Sequence, residues 1–138
     1  MPTVHVVRRA HFNAAHRLHN PAHTDEWNRA TFGKCNHTNW HGHNYVLEVT
    51  VAGEPDPETG YVVDLAVLKD VIEARVVNDL DHRNLNLDVD WLKGTLPSTE
   101  NLAVAIWQRL VDHIPGAGRL AEIRLQETEN NSAVYRGE

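Results

Sequence analysis

An α+β fold, with a four-stranded antiparallel sheet and two helices packed on one of its faces, is what the hydrophobic periodicity of this 138-residue chain predicts. Two observations carry that expectation. Apolar residues alternate with period two near both ends of the chain, and between those regions the period changes to that of an amphipathic helix, twice. The resulting order is β, β, α, α, β, β within one domain spanning 1–138.

Val4 to Phe12 reads as the first strand, with Val4, Val6, Ala10 and Phe12 on one parity and Arg8 interrupting it. Asn20-Pro21 marks a loop, and Thr24 to Ala30 a short helical turn capped by Thr24 or Asp25. From His41 the alternation is clean: His41, His43, Tyr45, Leu47, Val49 and Val51 share one face, and Asn44, Glu48 and Thr50 the other. Pro55 to Gly60 is a turn cluster, followed by a short extended piece at Tyr61 to Val63. Asp64 suits an N-cap, and Leu65, Leu68, Ile72 and Val76 follow at helical spacing to about Asn78. A second helix starts at Ser98, carries Ala103, Ile106, Trp107, Leu110 and Ile114 on one stripe, and stops at Pro115-Gly116. Leu120 to Glu127 and Ala133 to Arg136 form the last strand pair.

Composition narrows the function classes. A formal charge of −6 argues against general nucleic-acid binding. The absence of a long apolar run or an export signal predicts a soluble, cytoplasmic protein with no membrane partner. The single cysteine suits a reducing compartment and leaves a thiol free for chemistry. Ten histidines are the compositional oddity, and they direct attention to metal binding or proton transfer.

The stretch Cys35 to Tyr45, C-N-H-T-N-W-H-G-H-N-Y, concentrates that chemistry. On an extended segment His41 and His43 point to the same face, so two imidazoles can reach one ion. A catalytic zinc takes three protein ligands and keeps a position open, which leaves the third to be found. Parity also turns Glu127 inward beyond Leu125. A carboxylate on an apolar face needs a partner, and two adjacent N–H donors of a ligand would satisfy it; an ion pair with Arg124 is the plainer reading. His37 is the nearest rival ligand.

Six ordered segments carry a family resemblance: A-H-R-L at Ala15 to Leu18, F-G-K-C at Phe32 to Cys35, H-G-H-N-Y at His41 to Tyr45, L-D-H-R-N-L at Leu80 to Leu85, S-T-E-N-L-A at Ser98 to Ala103, and Q-E-T-E-N-N at Gln126 to Asn131. With the Y-R-G-E tail, the sequence resembles the 6-pyruvoyl tetrahydropterin synthase family, which includes 6-carboxytetrahydropterin synthase. The resemblance implies a tunnelling fold, in which trimeric barrels stack into a homo-hexamer with active sites between subunits. It implies Zn2+ held by His16, His41 and His43, a catalytic set of Cys35, Asp81 and His82, and pterin contacts from Glu127, Thr99 and Ser98.

The implied substrate is 7,8-dihydroneopterin triphosphate, from which triphosphate is eliminated with internal redox of the side chain and zinc as Lewis acid. Cys35 as thiolate is the implied base, its pKa lowered by the nearby cation, and Asp81 polarises His82. Five residues separate Cys35 from His41, a spacing resembling the pyruvoyl-forming members; the carboxy-forming members of the queuosine route, which release acetaldehyde, are the alternative, and a non-catalytic zinc-binding scaffold a further one. Trp40 stands where animal members often carry glycine.

Overall fold

The computed structural model describes residues 2–138. Its sheet has five strands in the order β3-β1-β2-β4-β5. The long hairpin of β1 (Val4–His16) and β2 (His41–Gly53) runs antiparallel in unbroken register, from Val4 opposite Gly53 to His16 opposite His41. β4 (Arg119–Thr128) pairs antiparallel with β2, placing Leu47 opposite Leu125, and β5 (Asn131–Tyr135) closes a hairpin on β4.

The sheet differs from the four-stranded antiparallel expectation by β3 (Arg83–Asn84), which pairs parallel with Ala14 and Ala15 of β1. A two-residue strand has no alternation to read. It exists because β1 continues past Phe12 to His16, leaving edge groups that the segment after His82 can bond. Tyr61 to Val63, expected as extended, is not a strand; Asp56 instead donates its N–H to the Tyr61 carbonyl at 2.8 Å and closes the preceding turn.

The helices begin where side chains satisfy their first N–H groups. Thr24 Oγ1 accepts from Trp27 N–H at the start of α1 (Asp25–Phe32), a full helix in place of the expected short turn. Asp64 Oδ1 accepts from Ala66 N–H at 2.9 Å at the start of α2 (Leu65–Ile72), and a π-helical turn, Glu73–Val77, joins it to α3 (Asn78–Leu80). Ser98 Oγ accepts from Asn101 N–H at the start of α4 (Thr99–Leu110). The π turn carries Arg75, whose Nε donates to the Arg109 carbonyl while Arg109 Nε donates to that of Arg75, tying the two long helical segments together.

One core fills the space between the helices and one face of the sheet. Phe12, Tyr45, Leu47, Val49, Ile123 and Leu125 meet Leu68, Ile72, Val76, Leu102, Ile106 and Leu110. The opposite face carries exposed His5, Arg9, His11 and Asn13 from β1. Leu125 is fully buried two residues before the bulge at Glu127, so Leu125→Ala is expected to cost about 2–5 kcal/mol in chemical denaturation. A loss under about 1 kcal/mol would mean that this end of the core can collapse around the cavity.

Candidate metal centre and active site

Strand register assembles the histidines. His16 ends β1 directly opposite His41, and Ala14 lies opposite His43, so three imidazoles meet at one end of the hairpin. Each offers a nitrogen, and these lie within 4.8 Å of one another. His16 is fully buried, and its Nδ1 lies 2.7 Å from the Pro97 carbonyl. A carbonyl only accepts, so Nδ1 carries the proton and Nε2 presents its lone pair to the cluster. Sequence reasoning missed Pro97 as a site residue, because its role depends on α4 docking beside β1.

The residues fit a metal ion. His16 Nε2, both ring nitrogens of His41, His43 Nε2 and the Tyr45 hydroxyl are buried without a hydrogen-bond partner. Orphaned polar atoms of this kind cost about 1–3 kcal/mol each. A divalent cation accepting three imidazole lone pairs removes most of that cost. Burial also pushes the pKa of all three histidines down, with mutual repulsion adding to it at each, so in the polypeptide alone they favour the neutral form that ligates. His37 stays outside the cluster, exposed, with Nδ1 accepting from Asn39 N–H at 3.1 Å.

Glu127 faces the same cluster. The register shift between Gln126 and Thr128 sits at this residue, and bulges re-aim side chains. Its Oε1 lies 3.7 Å from His43 Nε2 and its Oε2 4.0 Å from His16 Nε2. Thr99 Oγ1 donates to Oε2, which brings the first residue of α4 into the site. Arg124, the plainer partner, instead lies 3.9 Å from Glu48. Ser98 is committed to capping α4.

Cys35 sits half-buried in the 3-10 turn Gly33–Asn36, whose backbone is held to the end of β1: Leu18 N–H donates to the Cys35 carbonyl at 2.8 Å. Beneath it, buried Asn36 bonds the Leu18 carbonyl and His19 Nδ1 while its own carbonyl accepts from Arg17 Nε. Burial, reinforced by the charge of Glu127, pushes the thiol up. In the polypeptide alone this is opposite to the lowering expected from a cation. The sign sets a prediction: metal-free protein should alkylate at Cys35 appreciably only above the ordinary thiol range near about pH 8.5, and loading with a divalent ion should move the midpoint down. A metal-free midpoint below about 8 would contradict this.

Asp81 and His82 lie elsewhere. Asp81 Oδ1 accepts from Asn13 N–H at 2.9 Å, and this bond holds its carboxyl below the usual range. Its Oδ2 lies 3.0 Å from His82 Nδ1. His82 adopts φ 60°, held by its N–H donating to the Asn13 carbonyl, and its side chain is 82% exposed. The pair thus presents itself outward at the β1 edge, bonded to Asn13 and to each other. Trp40, immediately before His41, also has a positive φ of 67°, a conformation suited to glycine.

Three comparisons place this geometry among known proteins. The family model described as 6-pyruvoyl tetrahydropterin synthase matches residues 5–138. The 6-pyruvoyl tetrahydrobiopterin synthase of Homo sapiens is 47% identical over 133 residues, covering 96% of this chain and 91% of that protein. The solved 6-pyruvoyl tetrahydropterin synthase of Caenorhabditis elegans superposes with a TM-score of 0.94 at 42% identity, covering 100% of this chain and 98% of that one. A dihydroneopterin monophosphate aldolase of Pyrococcus furiosus is 38% identical over 122 residues, covering 88% of each. With a match that runs from the first strand to the last residue, the chain belongs to the 6-pyruvoyl tetrahydropterin synthase family.

Proposed function

We propose that this protein converts 7,8-dihydroneopterin triphosphate to 6-pyruvoyltetrahydropterin, with Zn2+ held by His16, His41 and His43. The observation that carries the reading is the convergence of three imidazoles with unpartnered nitrogens beside a carboxylate anchored by Thr99. When bound, zinc supplies a Lewis acid that acidifies neighbouring C–H bonds of the substrate.

The remaining roles follow from the protein's own groups. Glu127 accepts from the 2-amino and N3 hydrogens of the pterin, a bidentate pair that fixes the ring relative to the histidines. Thr99 orients that carboxylate and occupies one of its lone pairs. Cys35 takes the proton from a carbon of the substrate's tail. Triphosphate leaves with the C–O electron pair, and the enol so formed becomes a ketone. The second hydroxyl carbon becomes a ketone when its two electrons pass to the pterin ring, which is reduced, so no external oxidant is needed. Asp81 holds His82 for proton delivery to the ring.

The outward position of Asp81 and His82 supports assembly: a second copy would bring its pair to the site of the first. The sheet ends at β3 on one side and β5 on the other, and these edges suit closure into a trimeric barrel and a homo-hexamer. Among the described residues no helix is long and apolar enough to cross a membrane. The test is incubation of purified protein with dihydroneopterin triphosphate and identification of the pterin. A 6-pyruvoyl product supports the reading. Acetaldehyde release with a 6-carboxy product would overturn it.

A further inference from the structure

Tyr45 carries a hydroxyl that the fold does not use. The residue is fully buried, and its Oη has no hydrogen-bond partner, whereas a buried tyrosine ordinarily finds one. Packing does not require the oxygen. Phe12, directly opposite on β1, stacks on the Tyr45 ring with centroids 5.0 Å apart and planes 16° from parallel, so a bare ring already serves at this level of the core. Leaving such a donor unmet costs stability, and a cation held by the imidazoles cannot accept from it.

The phenol leans toward the metal centre. His16 lies opposite His41, four residues from Tyr45 along β2, a separation of about 13 Å at the rise of a strand. The Tyr45 and His16 ring centroids are nevertheless 6.3 Å apart, and those of Tyr45 and His43 5.7 Å, so the side chains lean together along the strands. Because Oη continues the line from Cβ through the ring, the lean carries the hydroxyl toward the histidines. Burial grades the site in the same direction. Glu127 and His43 are each 18% exposed and stand at the mouth, whereas His16 and Tyr45 are at 0% and form the floor. An ordinary phenol is an O–H donor at neutral pH. Burial, reinforced by the charges of Glu127 and Cys35, pushes its pKa further up.

We propose that Tyr45 is a further catalytic residue, its hydroxyl donating a hydrogen bond to an oxygen of the substrate's tail at the floor of the metal centre. The inference rests on the proposed activity and names the group that receives the tail once Glu127 holds the ring. With the ring at the mouth, the tail is the part of the substrate that reaches inward. As Cys35 removes the proton from a tail carbon, electron density moves to the neighbouring oxygen, and a donor already aimed there stabilises it. The phenol keeps its own proton, so the proton and electron balance of the reaction is unchanged.

Tyr45→Phe keeps the ring and removes the hydroxyl. Without metal, the variant should melt no lower than metal-free wild type, because the deleted group has no protein partner. Loaded with zinc to the wild-type content, it should bind dihydroneopterin about 2- to 10-fold more weakly by calorimetry, and 7,8-dihydropterin, the same ring without a tail, as tightly as wild type does. On dihydroneopterin triphosphate kcat should fall about 10²- to 10³-fold, with a smaller change in KM. A metal-free variant that melts below wild type, loss of zinc, equal effects on the two ligands, or a wild-type kcat overturns the role of Tyr45 while leaving the proposed activity standing. Failure of the wild type to form the 6-pyruvoyl product overturns the activity instead, and the tail-dependent difference in binding still reads the hydroxyl.

Discussion

His41→Ala is expected to remove the metal and turnover together. His41 stands opposite His16 at the end of the β1–β2 hairpin, and neither of its ring nitrogens has a protein partner. No spare imidazole is positioned to replace it: among the described residues, His37 is exposed and outside the cluster. Loss of a group that merely supports a ligand costs about 10- to 100-fold in metal affinity, and loss of the ligand itself should exceed that. Elemental analysis of the purified variant and product assay read the two effects. Because alanine deletes two orphaned nitrogens, the metal-free variant should unfold no earlier than metal-free wild type, which separates loss of ligation from misfolding. A full metal complement in the variant would remove His41 from the ligand set.

Cys35→Ala should lower kcat about 10²- to 10⁴-fold, the range for loss of a positioned base, with metal content unchanged. The separation is structural. Cys35 hangs from a 3-10 turn held through backbone bonds to Leu18, whereas the imidazoles hang from the β1–β2 register. The substitution removes the thiol without touching either scaffold. Its burial raises the thiol pKa in the polypeptide alone, so thiolate chemistry near neutral pH depends on a neighbouring cation. Turnover at the wild-type rate would eliminate the cysteine as base. Metal loss in Cys35→Ala would show instead that the sulfur ligates.

The residues of the site differ in how legible they are. His41 and His43 share a face because a strand has period two, and that rule needs nothing beyond a few consecutive residues. The same rule turns Glu127 inward, and the bulge at that position does not reverse it. The helix starts at Asp64 and Ser98 are legible for a similar reason, since a cap bonds N–H groups two or three residues away. His16 is reached through family resemblance alone. Asn13-Ala14-Ala15 has no strand signature, and β1 extends to His16 because the thirteen residues of β2 pair with it. The outward direction of Asp81 and His82, the hold of Pro97 on His16, and the two-residue β3 likewise come from contacts between distant segments.

Local periodicity by itself determined the α+β character, the inward faces of the strands, the helix starts, and two of the three imidazoles on one surface. Tertiary structure alone decided that the β1–β2 register sets His16 against His41 and that α4 presents Pro97 and Thr99 to the site. The physical reason is range. The direction of a residue along a strand or helix follows from the geometry of its own backbone, whereas its neighbours across the site depend on pairing and packing that bring together residues as distant in the chain as His16 and Glu127.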